Sequence, residues 1–427
     1  MKNGHTKKTP PRPGPLRRFL SVLGPGVITG AADDDPSGIA TYSIAGARYG
    51  THLLWTSFLT WPLMAAVQMM CARIGMVTGR GLADALKRKF PRWTLVVAAI
   101  ALLAANTINI GADLSGMSDA AEMLTGINSH YFVVFFGVGI AWATIQLRYY
   151  QIAASLKWLA LVLLAYVATA IYVGPDWGQV FRDAFAPSIP HEKGAWGALV
   201  AILGTTISPY LFFWQTSEEV EEEKAMGRRM VRSRIGATSR EIADRRLDVT
   251  VGTFFASLVF FFIILTTALT LHRHGVTQLE TSREVAEALR PLAGRFAELL
   301  YTIGLIGVGL LAIPTLAGSA AYAFAETFGW REGLDRKLGA ARYFYGVVIL
   351  STAAGIALDF LDVNPVQALY WTAVINGLLS PFLLVGILVV ACDRKCMRGQ
   401  PSSILGRAVV GLTALLMFGA AIGMFVF

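Results

Sequence analysis

Three consecutive aspartates and a proline stand in the middle of an apolar stretch, GPGVITGAADDDPSGIATYSIAGA. The residues that break the apolar pattern are, in order, Asp33, Asp34, Asp35, Pro36, Ser37 and Gly38. Inside a bilayer one ionised carboxylate costs at least about 2.5 kcal/mol, so three together need water, protonation or a cation. Pro36 lacks an amide hydrogen and Gly38 permits unwinding, which frees backbone carbonyls. The run indicates a cation site; the alternative is a proline kink near an aqueous mouth.

A second proline breaks a later apolar stretch, WGALVAILGTTISPYLFFWQTSEEV. Small polar residues gather beside it in the run Gly204, Thr205, Thr206, Ile207, Ser208, Pro209 and Tyr210. Taken alone the run is weak evidence, because Ser and Thr hydroxyls often bond the preceding helical turn and prolines often kink membrane helices. Its position relative to the first run decides what it means.

The chain as a whole has the composition of a membrane protein. Of its 427 residues, 55% are hydrophobic and only 15% are charged, which does not fit a soluble domain of this size. Stretches of about 20 apolar residues, enough to cross a bilayer, recur along it. The net charge of +9 does not indicate a nucleic-acid partner, because Lys and Arg lie in the loops. We expect a lipid bilayer as the environment.

The apolar stretches predict eleven transmembrane spans. They cover residues 19–46, 52–78, 93–120, 131–147, 151–173, 195–220, 249–271, 297–327, 341–359, 365–391 and 405–426. Lys and Arg concentrate in the N-terminal tail and in every second loop, which places the N-terminus in the cytoplasm and the C-terminus outside. The predicted units are a disordered tail at 1–18, five helices at 19–173, five inverted helices at 195–391 and an eleventh helix at 405–427.

The two proline breaks fall in the first and sixth predicted spans, so each opens a block of five helices. Five is an odd number, and the second block is therefore inverted relative to the first. Interrupted helices at matching positions of inverted repeats indicate a transport site near the middle of the membrane. The aspartates make a cation the expected cargo.

At these two runs the chain resembles the natural resistance-associated macrophage protein (Nramp) family of divalent metal transporters. It has Asp-Pro-Ser-Gly where the family has Asp-Pro-Gly-Asn, and Thr-Thr-Ile-Ser-Pro-Tyr where the family has Ala-Thr-Val-Met-Pro-His. The resemblance implies an all-α, LeuT-like fold of two inverted five-helix repeats with interrupted helices 1 and 6, plus an eleventh helix. It also implies a bacterial plasma membrane, and we expect a monomer without catalytic residues or a cofactor.

The resemblance assigns metal-binding roles residue by residue. Asp35 takes the place of the metal-binding aspartate, with Asp33 and Asp34 beside it, and Thr205 that of the residue whose carbonyl reaches the ion. Gly38 replaces the family's asparagine and Ser208 its methionine. Without a thioether the site suits hard ions such as Mg²⁺ and Mn²⁺. The pattern is similar to the Nramp-related magnesium transporters of bacteria.

The resemblance also bears on proton coupling and on the transport path. The third span reads Ala-Asn-Thr-Ile-Asn-Ile at 105–110, aligned with a segment where proton-coupled members carry acids. Thr107 accepts no proton there, and Tyr210 replaces the family's histidine, so we expect uncoupled, potential-driven uptake. The residues assigned to gating or to the path are Pro36, Pro209, Tyr210, Asn376 and Thr107. Asn376 has a helix-to-helix hydrogen bond as an equal alternative.

The sequence leaves alternatives open for the function and for the roles of several acidic residues. A proton-coupled Mn²⁺/Fe²⁺ importer would use the same fold, and an amino-acid or sodium symporter would need an uncharged first break. Asp113 and Asp119 in the third span either face a vestibule or are solvated. The glutamates at 218–223 either attract cations to the exit or, as the preferred interpretation, form a solvated helix face.

Overall fold

The computed structural model describes residues 25–147, 159–189, 194–334, 336–361 and 363–426. The predicted tail at 1–18 and the first residues of the predicted first and fifth spans lie outside these ranges. In the described part, helices account for nearly all regular structure, which confirms the all-α prediction.

The long helices follow the predicted spans closely. They are α1 (Pro25–Asp33), α2 (Pro36–Tyr49), α3 (Trp55–Thr78), α4 (Arg92–Thr125), α5 (Ser129–Gln146), α6 (Leu164–Val173), α7 (Ala195–Thr206), α8 (Pro209–Ala225), α9 (Ser239–Thr270), α10 (Ala297–Phe328), α11 (Arg342–Asp359), α12 (Pro365–Cys392) and α13 (Ile404–Val426). Short helices and helical turns connect them at Leu82–Leu86, Leu159–Leu163, Trp177–Phe185, Val231–Arg234, His272–His274, Ser282–Glu287, Arg290–Ala293, Gly294–Phe296 and Leu338–Ala340.

By length and apolar composition, seven helical segments of the described chain are able to cross a membrane. They contain α4, α5, the pair α7 and α8, α9, α10, α12 and α13. The segment Leu161–Val173 is apolar but shorter. The remaining predicted spans correspond to α1 with α2, to α3 and to α11, which are helical in the structure.

Both predicted interruptions are present. The first span divides between α1 and α2, and the sixth divides between α7 and α8. Pro36 and Pro209 each open the second half of their span, a position where a missing amide hydrogen costs no helical bond. The prediction of interrupted helices 1 and 6 is confirmed.

One predicted boundary is wrong. The seventh span was expected from residue 249, but α9 begins at Ser239, where Thr238 and Glu241 form a capping box. Such reciprocal caps start a helix whatever the polarity of its next turns. The charged turns therefore extend α9 beyond the apolar stretch that the prediction followed.

Glycines bring the first half of each interrupted span close to another helix. A Cβ at Gly30 in α1 would lie 2.5 Å from the carbonyl of Gly252 in α9. A Cβ at Gly204 in α7 would lie 2.2 Å from the backbone nitrogen of Gly377 in α12. Small residues permit this close approach of membrane helices, and it positions α1 and α7 beside the breaks.

Candidate cation site

Asp35 organises the first break. It is the N-cap of α2, and its Oδ1 accepts hydrogen bonds from the Gly38 amide and the Ser37 hydroxyl, both at 2.7 Å. These bonds satisfy orphan donors of the new helix. The side chain is 1% exposed, so the cap also fixes a buried carboxylate at the break.

Two other helices reach the second oxygen of Asp35. The Asn109 amide of α4 donates to Oδ2 at 3.2 Å, and the Tyr210 hydroxyl of α8 lies 3.5 Å from it. Tyr210 donates more closely to the Ala32 carbonyl, at 3.0 Å. That carbonyl is free because Pro36, four residues later, has no amide hydrogen. Tyr210 thus links the two breaks.

The second break satisfies its own freed carbonyls. The Ser208 hydroxyl lies 2.8 Å from the Gly204 carbonyl and 2.7 Å from that of Thr205, and Ser380 donates to Ile207 at 2.6 Å. Pro209 explains the free Thr205 carbonyl, again through its missing amide hydrogen. In this conformation the Thr205 carbonyl and the Ser208 hydroxyl, both predicted to bind the ion, contact each other.

The two breaks lie side by side. A Cβ at Gly38 would lie 3.2 Å from Thr205 Oγ1 and 3.5 Å from Asp35 Oδ1. The Tyr42 hydroxyl and the Thr206 hydroxyl are 3.3 Å apart. Because residue 38 has no side chain, the two breaks can approach each other closely at this point.

Several buried oxygens around the breaks have no hydrogen-bond partner of standard geometry. In the described part of the chain, these include Asp33 Oδ1, Asp34 Oδ1, both carboxylate oxygens of Asp113, Asn109 Oδ1 and Thr205 Oγ1. An unsatisfied buried carboxylate is expensive, and an ion or water is the usual explanation. The concentration of free oxygens, four of them from carboxylates, makes this region able to bind a cation.

Helix α4 contributes residues that the sequence analysis did not assign to the site. The sequence assigns no role to Asn109 and leaves that of Asp113 open, and the pathway role of Thr107 stays a prediction. Residues four apart share a helix face, whereas residues two apart differ by about 200°. Asn109 and Asp113 therefore face the breaks together, while the half-buried Thr107 lies on another face. A polar pair spaced by four in an apolar span was the available signal.

Asn376 is buried in α12, next to the glycine that touches α7. Its Oδ1 accepts no hydrogen bond from the described residues. The structure shows it close to the second break, and its predicted gating role stays a prediction.

A buried polar chain joins α1 to α8 and α9 at one side of the breaks. Thr29 donates to Gln215 at 2.7 Å, and Gln215 donates to Glu219 at 2.6 Å. Arg245 then pairs with Glu219 at 2.8 Å and with Asp248 at 2.5 Å. The chain closes on α1, because Asp248 Oδ2 accepts from the Gly26 amide at 2.8 Å.

The preferred interpretation of the glutamates after the sixth span is wrong for two of them. Glu219 is 1% exposed and Glu223 is 6% exposed, so neither belongs to a solvated face. Glu219 can be buried because α9 begins early and supplies Arg245 as a partner, a residue that the predicted span leaves in a loop. Glu223 pairs instead with Arg228. Asp119 lies apart from the site, since its Oδ2 accepts from the Ser282 amide at 3.1 Å.

The family description "Natural resistance-associated macrophage protein-like" matches residues 26–427. The chain belongs to the Nramp family. The divalent metal cation transporter MntH of Caldanaerobacter subterraneus subsp. tengcongensis is 25% identical over 406 residues, which cover 93% of this chain and 91% of that protein. MntH of Deinococcus radiodurans is 27% identical over 410 residues, covering 92% and 87%.

Solved structures agree on the fold of this Nramp protein. The manganese transporter of Eremococcus coleocola, in complex with an aromatic bis-isothiourea substituted compound, gives a TM-score of 0.77 at 18% identity, over 97% of this chain and 88% of that one. MhsT in complex with L-phenylalanine gives 0.58 at 14% identity, over 93% and 98%. The LeuT-like fold is confirmed, and the metal-binding roles carried over from the Nramp motif stay predictions.

Proposed function

We propose that this protein carries divalent metal cations across a membrane through the gap between its two helix breaks. One observation carries the proposal: buried oxygens of Asp33, Asp34 and Thr205 that accept no hydrogen bond from the described residues lie where both helices are interrupted. Carboxylate and hydroxyl oxygens are suitable ligands for hard divalent ions. The names of its Nramp relatives, divalent metal cation transporters and a manganese transporter, support the same cargo.

We further propose that the ion is Mg²⁺ or Mn²⁺ with part of its water shell. Mg²⁺ gives up water reluctantly and binds through one or two carboxylates. Ser208 brings a hydroxyl where the family has a thioether, and a hydroxyl suits an ion that keeps part of its water shell. Among the described residues, no three His, Cys, Asp or Glu side chains converge enough to hold a bare ion, and the proposal accordingly keeps water on it.

Potential-driven uptake without proton exchange completes the proposal. An inside-negative potential of 100 mV contributes about 2.3 kcal/mol per charge, or roughly 4.6 kcal/mol for a divalent ion. The proposed orientation has the N-terminus in the cytoplasm and a monomer in a bacterial plasma membrane, with repeats at 19–173 and 195–391. This orientation rests on the alternating positive loops.

A proton-coupled Mn²⁺/Fe²⁺ importer is the second candidate, and two observations favour it. Asp113 is fully buried near Asp35 and forms no ion pair with the described residues, so it is suited to carry a proton. Met64 lines a small cavity that Ser208 also lines, so a thioether is close to the second break. Softer metals favour such a ligand.

Uptake into proteoliposomes separates the two candidates. Purified protein is reconstituted with an inside-negative potential, and Mg²⁺ or Mn²⁺ entry is recorded together with internal pH. The uncoupled account predicts uptake that follows the potential, is unchanged by a pH gradient and leaves internal pH constant. Metal-driven acidification of the lumen contradicts it and supports the proton-coupled importer.

Selectivity is tested at Ser208. We predict that Ser208→Met increases the preference for Mn²⁺ over Mg²⁺ several-fold in uptake competition, because a thioether stabilises the softer ion. Ser208→Leu is the matched control, with similar volume and no sulfur. An equal competition profile for both variants would count against the softness argument.

A further inference from the structure

A second group of carboxylates surrounds a cavity where α8 ends and α9 begins. The cavity has a volume of about 170 Å³, which is room for several water molecules. Its acidic lining residues are Glu219, Glu222, Glu223, Glu241 and Asp244, and its basic lining residues are Arg228 and Arg245. Glu223 lies fourteen residues after Pro209 on the same helix, about 21 Å from the breaks. The cavity is therefore separate from the candidate transport site.

The charges around this cavity do not balance. Asp248 pairs with Arg245, Arg240 lies 3.8 Å from Asp244, and Arg234 acts electrostatically on Glu223. With these neighbours included, six carboxylates face four guanidinium groups. Arg245 alone is shared by Glu219, Glu222 and Asp248. When all of these groups are ionised, the carboxylates exceed the guanidinium groups by two charges, which equals the charge of one divalent cation.

Glu223 has one buried carboxylate oxygen that receives no hydrogen bond from the described residues. Its side chain is 8% exposed, and its Oε1 meets Arg228 at the long distance of 3.3 Å. Arg228 also pairs with Glu241. The other oxygen, Oε2, is buried without a hydrogen-bond partner. In the described chain, the only other carboxylates with such an oxygen are Asp33, Asp34 and Asp113 at the candidate transport site.

We propose that this cavity is a second cation site, in which Glu223 and its acidic neighbours bind one hydrated divalent ion. The ion neutralises the excess charge, and its water shell reaches carboxylates that are too far apart to bind it directly. Hydrated Mg²⁺ binds in this way, through one or two carboxylates with several waters retained. By the positive-inside pattern the cavity opens to the cytoplasm, the side on which an imported ion is released.

Mn²⁺ binding to the full-length purified protein, followed by the electron paramagnetic resonance signal of free Mn²⁺, tests this site. Asp35→Asn is introduced first to silence the transport site. One Mn²⁺ site is expected to remain, and excess Mg²⁺ is expected to displace it. Adding Glu223→Gln is expected to weaken that site at least tenfold, and Asp244→Asn, on the opposite wall, several-fold.

Glu221→Gln is the matched control. Glu221 lies two residues from Glu223 on the same helix, does not line the cavity and pairs with Lys224 at 2.7 Å. This variant loses the same charge and is expected to keep the remaining site intact. The proposal is overturned if the Asp35→Asn protein binds no Mn²⁺, or if Glu223→Gln and Asp244→Asn bind it as tightly as Glu221→Gln. Neither outcome bears on metal uptake by the wild-type protein, which is the test of the transport proposal. The two proposals can therefore fail separately.

Discussion

Asp35 and its two neighbours in sequence have different environments, although all three are buried aspartates. Four donors surround Asp35 and hold it in one orientation. Asp33 and Asp34 each keep one oxygen without a partner. Four donors occupy the roughly four lone-pair sites of a carboxylate, so in this conformation Asp35 orients the break, while Asp33, Asp34 and Asp113 supply much of the negative charge.

Two asparagines on α4 allow the positioning role to be tested. Asn109 donates to Asp35, whereas Asn106 donates at 2.8 Å to the Leu316 carbonyl and to the Ser319 hydroxyl in α10. A hydrogen bond to a charged group contributes about 1.5–3 kcal/mol. We predict that Asn109→Ala raises the KM for Mn²⁺ uptake about tenfold or more with little change in melting temperature. Asn106→Ala should instead lower the melting temperature; the reverse pattern would contradict these assignments.

The residues of the two breaks were predictable from sequence, but their partners on α4 were not. Pro36 and Pro209 leave local signals, and motif resemblance then assigned Asp35, Gly38 and Thr205. Hydropathy gives the extent of α4 but not which of its faces points toward the breaks. The motif resemblance therefore assigns the path to Thr107, whereas Asn109 is the residue that contacts Asp35 in the structure. The Ser208 hydroxyl's contact with the Thr205 carbonyl depends on the local turn geometry, which no motif specifies.

At the scale of the elements, close glycine contacts hold the half-helices in place. We predict that Gly30→Val lowers the melting temperature by several degrees and abolishes uptake, because its side chain would meet the Gly252 backbone and overpacking costs about 1–3 kcal/mol. Gly139→Val in α5 is the control, since a Cβ there meets no atom within 4 Å. Equal melting temperatures for the two variants would contradict this packing.

The buried ion pairs between α8 and α9 give a second prediction at this scale. Arg245→Ala leaves Glu219 and Asp248 buried without their partner, a change that costs about 3–5 kcal/mol. We expect a large loss of folded protein, measured by size-exclusion chromatography after heating. Arg240→Ala, which removes an exposed arginine 3.8 Å from Asp244, is expected to cost less than about 1 kcal/mol. A stable Arg245→Ala protein would argue against the buried pairing.

For the whole molecule, the apolar composition predicts the spans. The odd number of five helices in each block predicts that the second block is inverted relative to the first. The early start of α9 did not follow, because its first turns are charged and lie outside the apolar stretch. The contact between Gly26 and Asp248 joins residues 222 positions apart, and no local pattern indicates it. Long-range polar contacts of this kind complete the fold after hydropathy has fixed its spans.

Mn²⁺ uptake by the Asp35→Asn protein tests the central account most directly. Asp119→Asn is the control, because Asp119 lies on the same helix as Asp113 but binds the Ser282 amide away from the breaks. Both variants are reconstituted at equal density under an inside-negative potential. We predict that Asp35→Asn reduces uptake at least a hundredfold and that Asp119→Asn retains more than half of it. Wild-type uptake by a correctly folded Asp35→Asn protein would contradict a cation site between the two helix breaks.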